Sequence, residues 1–194
     1  MILRAILLAG FGIAFIISGM TGPGGLSVGD KASDFSLANV DGKMISMDSY
    51  DNAKGFIVIF TCNNCPYAKA YQERIAELHH VFNKKGFPVI AINTSDSEEA
   101  IKQRAKEKNY PFMYLHDETQ EVSKAYGATK TPHVYILKKD KTVAYIGAID
   151  NNYKDAAAAD KLYVKDAVEA LLANKEVKVT TTNAIGCSIK WKNI

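Results

Sequence analysis

Apolar residues along the chain recur with two spacings, and the switches between them mark out the elements. Phe56-Ile57-Val58-Ile59-Phe60 is a continuous apolar run, which predicts a strand buried on both faces. Val89 to Ile92 is a second such strand and Phe112 to Leu115 a shorter third. From Tyr67 to Lys84 the residues Ala70, Ile75, Leu78, Val81 and Phe82 fall at helical spacing, and Gly86-Phe87-Pro88 stops the helix. Ser95 to Lys108 predicts a charged helix, with Asp96 and Ser97 placed to cap it. Asp117 to Tyr126 is a short helix closed by Gly127. His133 to Leu137 and Val143 to Ile149 are strands joined by the turn at Lys139-Asp140-Lys141. Asp160 to Asn174 is an amphipathic helix through Leu162, Val164, Val168, Leu171 and Leu172. Asp34 to Met47 reads as a hairpin about Asp41-Gly42, and a tail runs from Val177 to Ile194. Strands alternating with helices imply a central sheet with helices on both faces, and the last two strands imply an antiparallel edge. The fold class is a mixed α/β sandwich.

Composition narrows the picture. The 194 residues are 47% hydrophobic and 23% charged, which suits one globular domain and excludes collagen-like and disordered readings. The net charge of +3 is spread along the chain, so no nucleic-acid partner is expected. The chain divides into residues 1–22, a domain over 26–176 and a tail over 177–194, expected to pack on the domain. Met1 to Gly22 carries Arg4 and then an apolar run from Ala5 to Ile17, broken only by Gly10 and Gly12. That run is shorter than the ~20 apolar residues of a spanning helix and reads as a secretory signal. An uncleaved membrane anchor is the alternative. Either places the rest of the chain in the periplasm or cell envelope, where thiols meet an oxidising medium.

Three cysteines carry the chemistry. Cys62-Asn63-Asn64-Cys65 follows a buried strand and opens a long helix. Two thiols at this spacing close a disulfide, and the helix N-terminus supplies positive potential that stabilises a thiolate. Cys62 is the expected attacking thiol, with the lower pKa, and Cys65 the resolving one. Pro66 suits the first helical position, which makes Cys65 the N-cap and exposes it to the same field. No second C-x-x-C or H-x₃-H follows, so no metal is expected. Thr131-Pro132 precedes a strand, and a cis bond there would let Thr131 offer its N–H and C=O to an extended substrate. Cys187 has two readings: an accessory relay thiol brought back by the tail, or a buried apolar residue packed with Ile185, Ile189 and Trp191. Trp191 is the expected tail anchor. Tyr67 and Tyr71 stand near the thiols in sequence and could line a groove, with packing as the plainer reading; His133, after Pro132, could tune the thiols or be a solvent-facing strand-end residue.

The chain resembles the thioredoxin superfamily: strand, C-x-x-C, helix, later Thr-Pro, strand hairpin, last helix, over roughly Val28 to Asn174. More narrowly it resembles the peroxiredoxin-like redoxin group of the alkyl hydroperoxide reductase/thiol-specific antioxidant family. That likeness rests on residues 60–67 (Phe-Thr-Cys-Asn-Asn-Cys-Pro-Tyr), 117–122 (Asp-Glu-Thr-Gln-Glu-Val), 125–128 (Ala-Tyr-Gly-Ala), 145–150 (Tyr-Ile-Gly-Ala-Ile-Asp) and 186–191 (Gly-Cys-Ser-Ile-Lys-Trp). The resemblance implies a thioredoxin-like three-layer sandwich with a central mixed sheet, an N-terminal hairpin extension and a C-terminal tail. This sequence departs from the family pattern in several places. Thr61 stands where thioredoxins carry Trp, Asn63-Asn64 replaces Gly-Pro, and Phe56 occupies the position of the buried acid. Aligned on Cys65-Pro66, the Thr that activates a peroxidatic cysteine is Cys62 itself, and Lys130 is the nearest cation in place of an Arg. The expected function is an exported thiol–disulfide oxidoreductase with catalytic Cys62 and Cys65, substrate-binding Thr131 and Pro132, and no cofactor. Its partners are a thiol or disulfide protein and an electron-donor thiol protein. A thiol peroxidase acting on small peroxides is the alternative. A non-enzymatic copper(I)- or thiol-binding envelope module, with Cys62, Cys65 and Cys187 as soft ligands, is a second.

Overall fold

The computed structural model describes residues 24–192. The leader expected over 1–22 lies outside the described residues. A seven-stranded sheet forms the middle layer. Within it lies β3 (Gly55–Thr61), buried at every position. On one side β3 pairs in parallel with β4 (Val89–Asn93), which pairs in parallel with β5 (Met113–His116). On the other side β7 (His133–Lys138) runs antiparallel to β3, and β8 (Val143–Gly147) antiparallel to β7. The hairpin of β1 (Leu37–Asn39) and β2 (Met44–Ile45) adds to the free edge of β5. The mixed sheet, the terminal antiparallel edge and the N-terminal hairpin extension are those expected.

The helices are α1 (Pro66–Phe82), α2 (Glu98–Lys108), α3 (Glu121–Tyr126) and α4 (Tyr163–Leu172). They divide unequally between the faces. Tyr71, Ile75, Leu78 and Phe82 of α1, Ile101 of α2 and Val164, Ala167 and Val168 of α4 share one core with Ile57, Ile59 and Ile136. The opposite core gathers Phe56, Val58 and Phe60 with Tyr126 of α3, Leu26 and Phe35 from the segment before β1, and Ile189 of the tail. The two crossovers, β3-α1-β4 and β4-α2-β5, step the same way across the sheet. Right-handed connections therefore place both helices on one face. The other face is left to α3 and to the two ends of the domain.

Element ends follow local chemistry. The Ser97 hydroxyl accepts the Ala100 N–H, so α2 starts at Glu98 rather than at the expected Ser95. Gly127 closes α3 in the left-handed region at φ 74°. Strand β8 stops at Gly147 because the Thr182 hydroxyl takes the Ala148 N–H at 2.9 Å. The tail continues beside β8, where Ile146 N–H donates to Thr180 and Thr182 N–H donates back to Ile146. It then crosses to form β9 (Cys187–Ser188), paired antiparallel with β6 (Lys130–Thr131).

Candidate active site

The site stands where β3 ends and α1 begins. The buried run of β3 fixes Thr61, and Pro66 fixes the first turn of α1, so the four residues from Cys62 to Cys65 have rigid elements at both ends. Cys65 is the N-cap, with φ −70° and ψ 125°. Cys65 is buried at 4% exposure, whereas Cys62 is partly exposed. All three cysteines are free thiols.

Between the cysteines, Asn63 is buried and fully engaged. Its backbone N–H donates to Asp96 Oδ2 at 2.6 Å, its Nδ2 donates to the Ala100 carbonyl at 2.9 Å, and its Oδ1 accepts the Tyr114 hydroxyl at 2.7 Å. Asn64 Nδ2 reaches Asp96 Oδ1 at 3.0 Å. Asn93 completes the network: its Nδ2 donates to Asp96 and to the Tyr114 hydroxyl, and its Oδ1 accepts the N–H groups of Ser95 and Asp96. Asp96, read from the sequence as a helix cap, is instead the acceptor that fastens the C-x-x-C turn. The sequence carried one sign of this: a second polar residue beside Ser97 that a cap does not need.

Thr131 is the meeting point of the thiols. Its hydroxyl lies 3.2 Å from Cys62 Sγ, and its carbonyl accepts the Cys65 thiol at 3.1 Å. The Thr131–Pro132 bond is cis, as expected. The backbone edge that the sequence offers to an extended substrate is already filled, since Thr131 pairs with Cys187 of the tail. Cys187 N–H donates to Cys65 Sγ at 3.4 Å.

The expected order of thiol acidities is reversed. Burial pushes the Cys62 pKa up, and the carboxylate of Asp96 adds to the rise against the opposing Thr131 hydrogen bond. Burial also opposes ionisation of Cys65. There, hydrogen bonds from the Cys187 side chain, the Ala68 and Cys187 amides and the Thr131 hydroxyl win, and its pKa is lowered. The Cys187 thiol is pushed up to about 11 by the same contact with Cys65 and by burial. The helix N-terminus favours the thiolate at the N-cap residue, which is Cys65, rather than at the cysteine three residues before it.

Other predicted neighbours take plainer roles. Tyr71 is buried and donates to Asp150 Oδ1 at 2.9 Å, while Arg74 binds the other carboxylate oxygen, Oδ2, at 2.6 Å. Tyr67 packs on Tyr153, with ring centroids 4.4 Å apart. His133 is buried rather than solvent-facing; burial lowers its pKa to about 4, so it is neutral at pH 7, and its Nδ1 accepts the Thr129 N–H. Lys130 donates to Ser188 Oγ at 2.9 Å and so is tied to the tail. Trp191 does not anchor the tail: it is 43% exposed, and Ile189 is the buried residue. Cys187 does not sit in an apolar nest, since Ile185 is also exposed and Cys187 itself is partly open. Asp117, given no role from sequence, accepts the Ser123 N–H at 2.8 Å and the Ser123 hydroxyl at the start of α3. Among the described residues, no three His, Cys, Asp or Glu side chains converge as metal ligands.

Comparison with known proteins agrees with this geometry. Thiol-disulfide oxidoreductase ResA of Geobacillus thermodenitrificans is 23% identical over 145 residues, 75% of this chain and 83% of that one. ResA of Bacillus thuringiensis subsp. konkukian is 25% identical over 118 residues, 61% of this chain and 68% of that one. Among solved structures, an uncharacterized conserved protein from Geobacillus kaustophilus superposes with a TM-score of 0.80 at 36% identity, covering 86% of this chain and 93% of that one. A thiol:disulfide interchange protein of the thioredoxin family from Chlorobium tepidum TLS superposes at 0.60 with 20% identity, over 73% and 95%, and so shares the fold. Residues 28–146, more than half of the chain, match the AhpC/TSA family. A thioredoxin-like sandwich with its C-x-x-C pair at the head of α1 is thus the form this chain gives to the AhpC/TSA family, to which it belongs.

Proposed function

We propose that the chain is a thiol–disulfide oxidoreductase whose redox couple is Cys62 and Cys65. The observation that carries the reading is the difference between the two thiols. Cys62 is open to a partner, while Cys65 is buried beside it with a lowered pKa. A partner thiolate attacks Cys62 Sγ of the Cys62–Cys65 disulfide, the S–S bond breaks, and Cys65 leaves as the thiolate. A low leaving-group pKa speeds that step. The partner's second thiol then displaces Cys62, which takes up a proton, so two electrons pass to the protein. In reverse, Cys65 attacks the mixed disulfide at Cys62 and expels the reduced partner. Thr131 orients both sulfurs through its hydroxyl and carbonyl. The partner is a thiol or disulfide protein, in line with relatives named thiol-disulfide oxidoreductases. No bound cofactor enters the exchange.

Export through the segment Met1 to Gly22 is part of this reading, and the oxidising medium beyond a membrane suits a dithiol. Cell fractionation tests it; recovery in the cytosol alone would refute export. The peroxidase alternative draws no support from Lys130, which is held at Ser188 and does not contact Cys65. The central test is steady-state turnover of a protein disulfide and of hydrogen peroxide, offered separately to the full chain with dithiothreitol. Disulfide turnover that disappears in Cys62→Ser is expected. Fast peroxide consumption requiring Cys65, with no disulfide turnover, would overturn the assignment.

A further inference from the structure

The tail is seated like a substrate. Strand β9 lies antiparallel on β6, Cys187 opposite Thr131 and Ser188 opposite Lys130. Backbone pairing along an exposed edge is how an extended peptide docks on a sheet, and here this chain supplies the peptide. The seat is tight and specific. A Cβ on Gly186 would stand 2.2 Å from the Thr131 carbonyl oxygen, so only glycine lets the tail come this near. Past the cysteine, Ile189 N–H donates to the Thr129 carbonyl at 3.0 Å and its side chain is buried. Lys130 Nζ holds Ser188 Oγ, and Gln120 holds the Lys190 carbonyl and the Lys192 N–H. These anchors bring Cys187 to Cys65, its amide 3.4 Å from the buried sulfur. Cys65 is closed to solvent, so the tail is the route by which a third sulfur reaches it.

We infer that Cys187 is a third redox thiol that exchanges with the Cys62–Cys65 disulfide, giving a Cys65–Cys187 disulfide and free Cys62. The inference rests on the Cys62–Cys65 couple proposed above. The Cys187 thiolate attacks Cys65 Sγ. The Cys62–Cys65 bond breaks, and Cys62 leaves as a thiolate and takes up the proton that Cys187 gave. One disulfide replaces another, no electrons are gained or lost, and no outside oxidant is needed. The protein then holds its two oxidising equivalents beneath the surface, with the tail covalently fixed over Thr131 and Cys62 presented as a free thiol.

Disulfide mapping of the full chain tests this. The protein is oxidised with diamide, quenched with acid, alkylated and digested with trypsin. Cleavage after Lys54, Lys69, Lys178 and Lys190 puts Cys62 and Cys65 in one peptide and Cys187 in another. The wild type is expected to yield both the internally closed 55–69 peptide and a cross-link of 55–69 to 179–190, which fragmentation assigns to Cys65. Cys62→Ser is expected to give the Cys65–Cys187 cross-link in nearly all molecules. Gly186→Ala, which lifts the tail from Thr131, is expected to reduce the cross-link severalfold while the Cys62–Cys65 disulfide still forms. A wild type with only the 55–69 closure, or Cys62→Ser with Cys187 freely alkylated, would overturn the inference and leave the Cys62–Cys65 couple standing. A Gly186→Ala yield equal to wild type would refute the seating of β9 as its cause. If the 55–69 peptide never closes in the wild type, the oxidoreductase reading itself falls.

Discussion

His133 gives the most quantitative test of the structure. It opens β7 directly after Pro132, opposite Phe60 of β3, and is 8% exposed with its ring against Tyr135. Burial lowers its pKa to about 4. The unfolded chain titrates near the ordinary value of about 6.5. The unfolded state therefore binds the proton first as pH falls. The stabilising contribution is complete above about pH 6.5 and is lost as pH drops towards 4. The full span of about 2.5 pK units corresponds to about 3 kcal/mol, and by pH 5 about 2 kcal/mol of it is gone. With a urea slope of about 2 kcal/mol/M for a domain of this size, the wild-type midpoint should fall by about 1 M between pH 7.5 and pH 5. Urea melts of wild type and His133→Gln at both pH values isolate the effect, because His79, also lowered by burial, contributes equally to both. The variant should lose less than half as much. An equal loss in the two proteins would refute the reasoning. The effect reaches the thiols, since protonation removes the acceptor of the Thr129 N–H, and the Thr129 carbonyl holds Ile189.

Three further outcomes are expected. Asn63→Ala strips two side-chain hydrogen bonds from the C-x-x-C turn, one of them the acceptor of the buried Tyr114 hydroxyl; it should cost about 1–3 kcal/mol in chemical denaturation and slow disulfide turnover. Asp96→Asn removes the charge that opposes the Cys62 thiolate, so the pH profile of Cys62 alkylation should move to lower pH; an unmoved profile would rule the carboxylate out as a cause. Arg74→Met leaves the Asp150 carboxylate buried beside Tyr71 without its cation, at about 3–5 kcal/mol, readable as a fall in Tm of about 10 °C.

Strand β3 and helix α1 were legible almost to the residue, because a continuous apolar run and a helical period are local properties. The position of the C-x-x-C at their junction was legible for the same reason, and so were the Ser97 cap and the Gly127 stop. What escaped depends on contacts distant in sequence. The unequal division of helices follows from the order in which strands join the sheet, which no window of residues contains. Asp96 acts on residues some thirty positions earlier, and its local spacing suggested only a cap. The acidity of Cys65 over Cys62 depends on donors from the tail, so it could not be read from the C-x-x-C. Trp191, the obvious tail anchor by size, yields to Ile189 because only the latter faces the sheet across Thr129.

The seating of the tail also holds its last described residues close to the thiols. Lys192 is pinned at Gln120, five residues after Cys187, so any segment continuing beyond it starts within about 17 Å of that sulfur. A flexible peptide joined there samples the thiols at an effective concentration in about the millimolar range. A cysteine-bearing sequence appended to this end would compete as a tethered reactant with partners arriving by diffusion. Reporter and affinity fusions that carry thiols are therefore better placed elsewhere, whereas a substrate deliberately fused here would turn a bimolecular encounter into a first-order reaction with a rate independent of protein concentration.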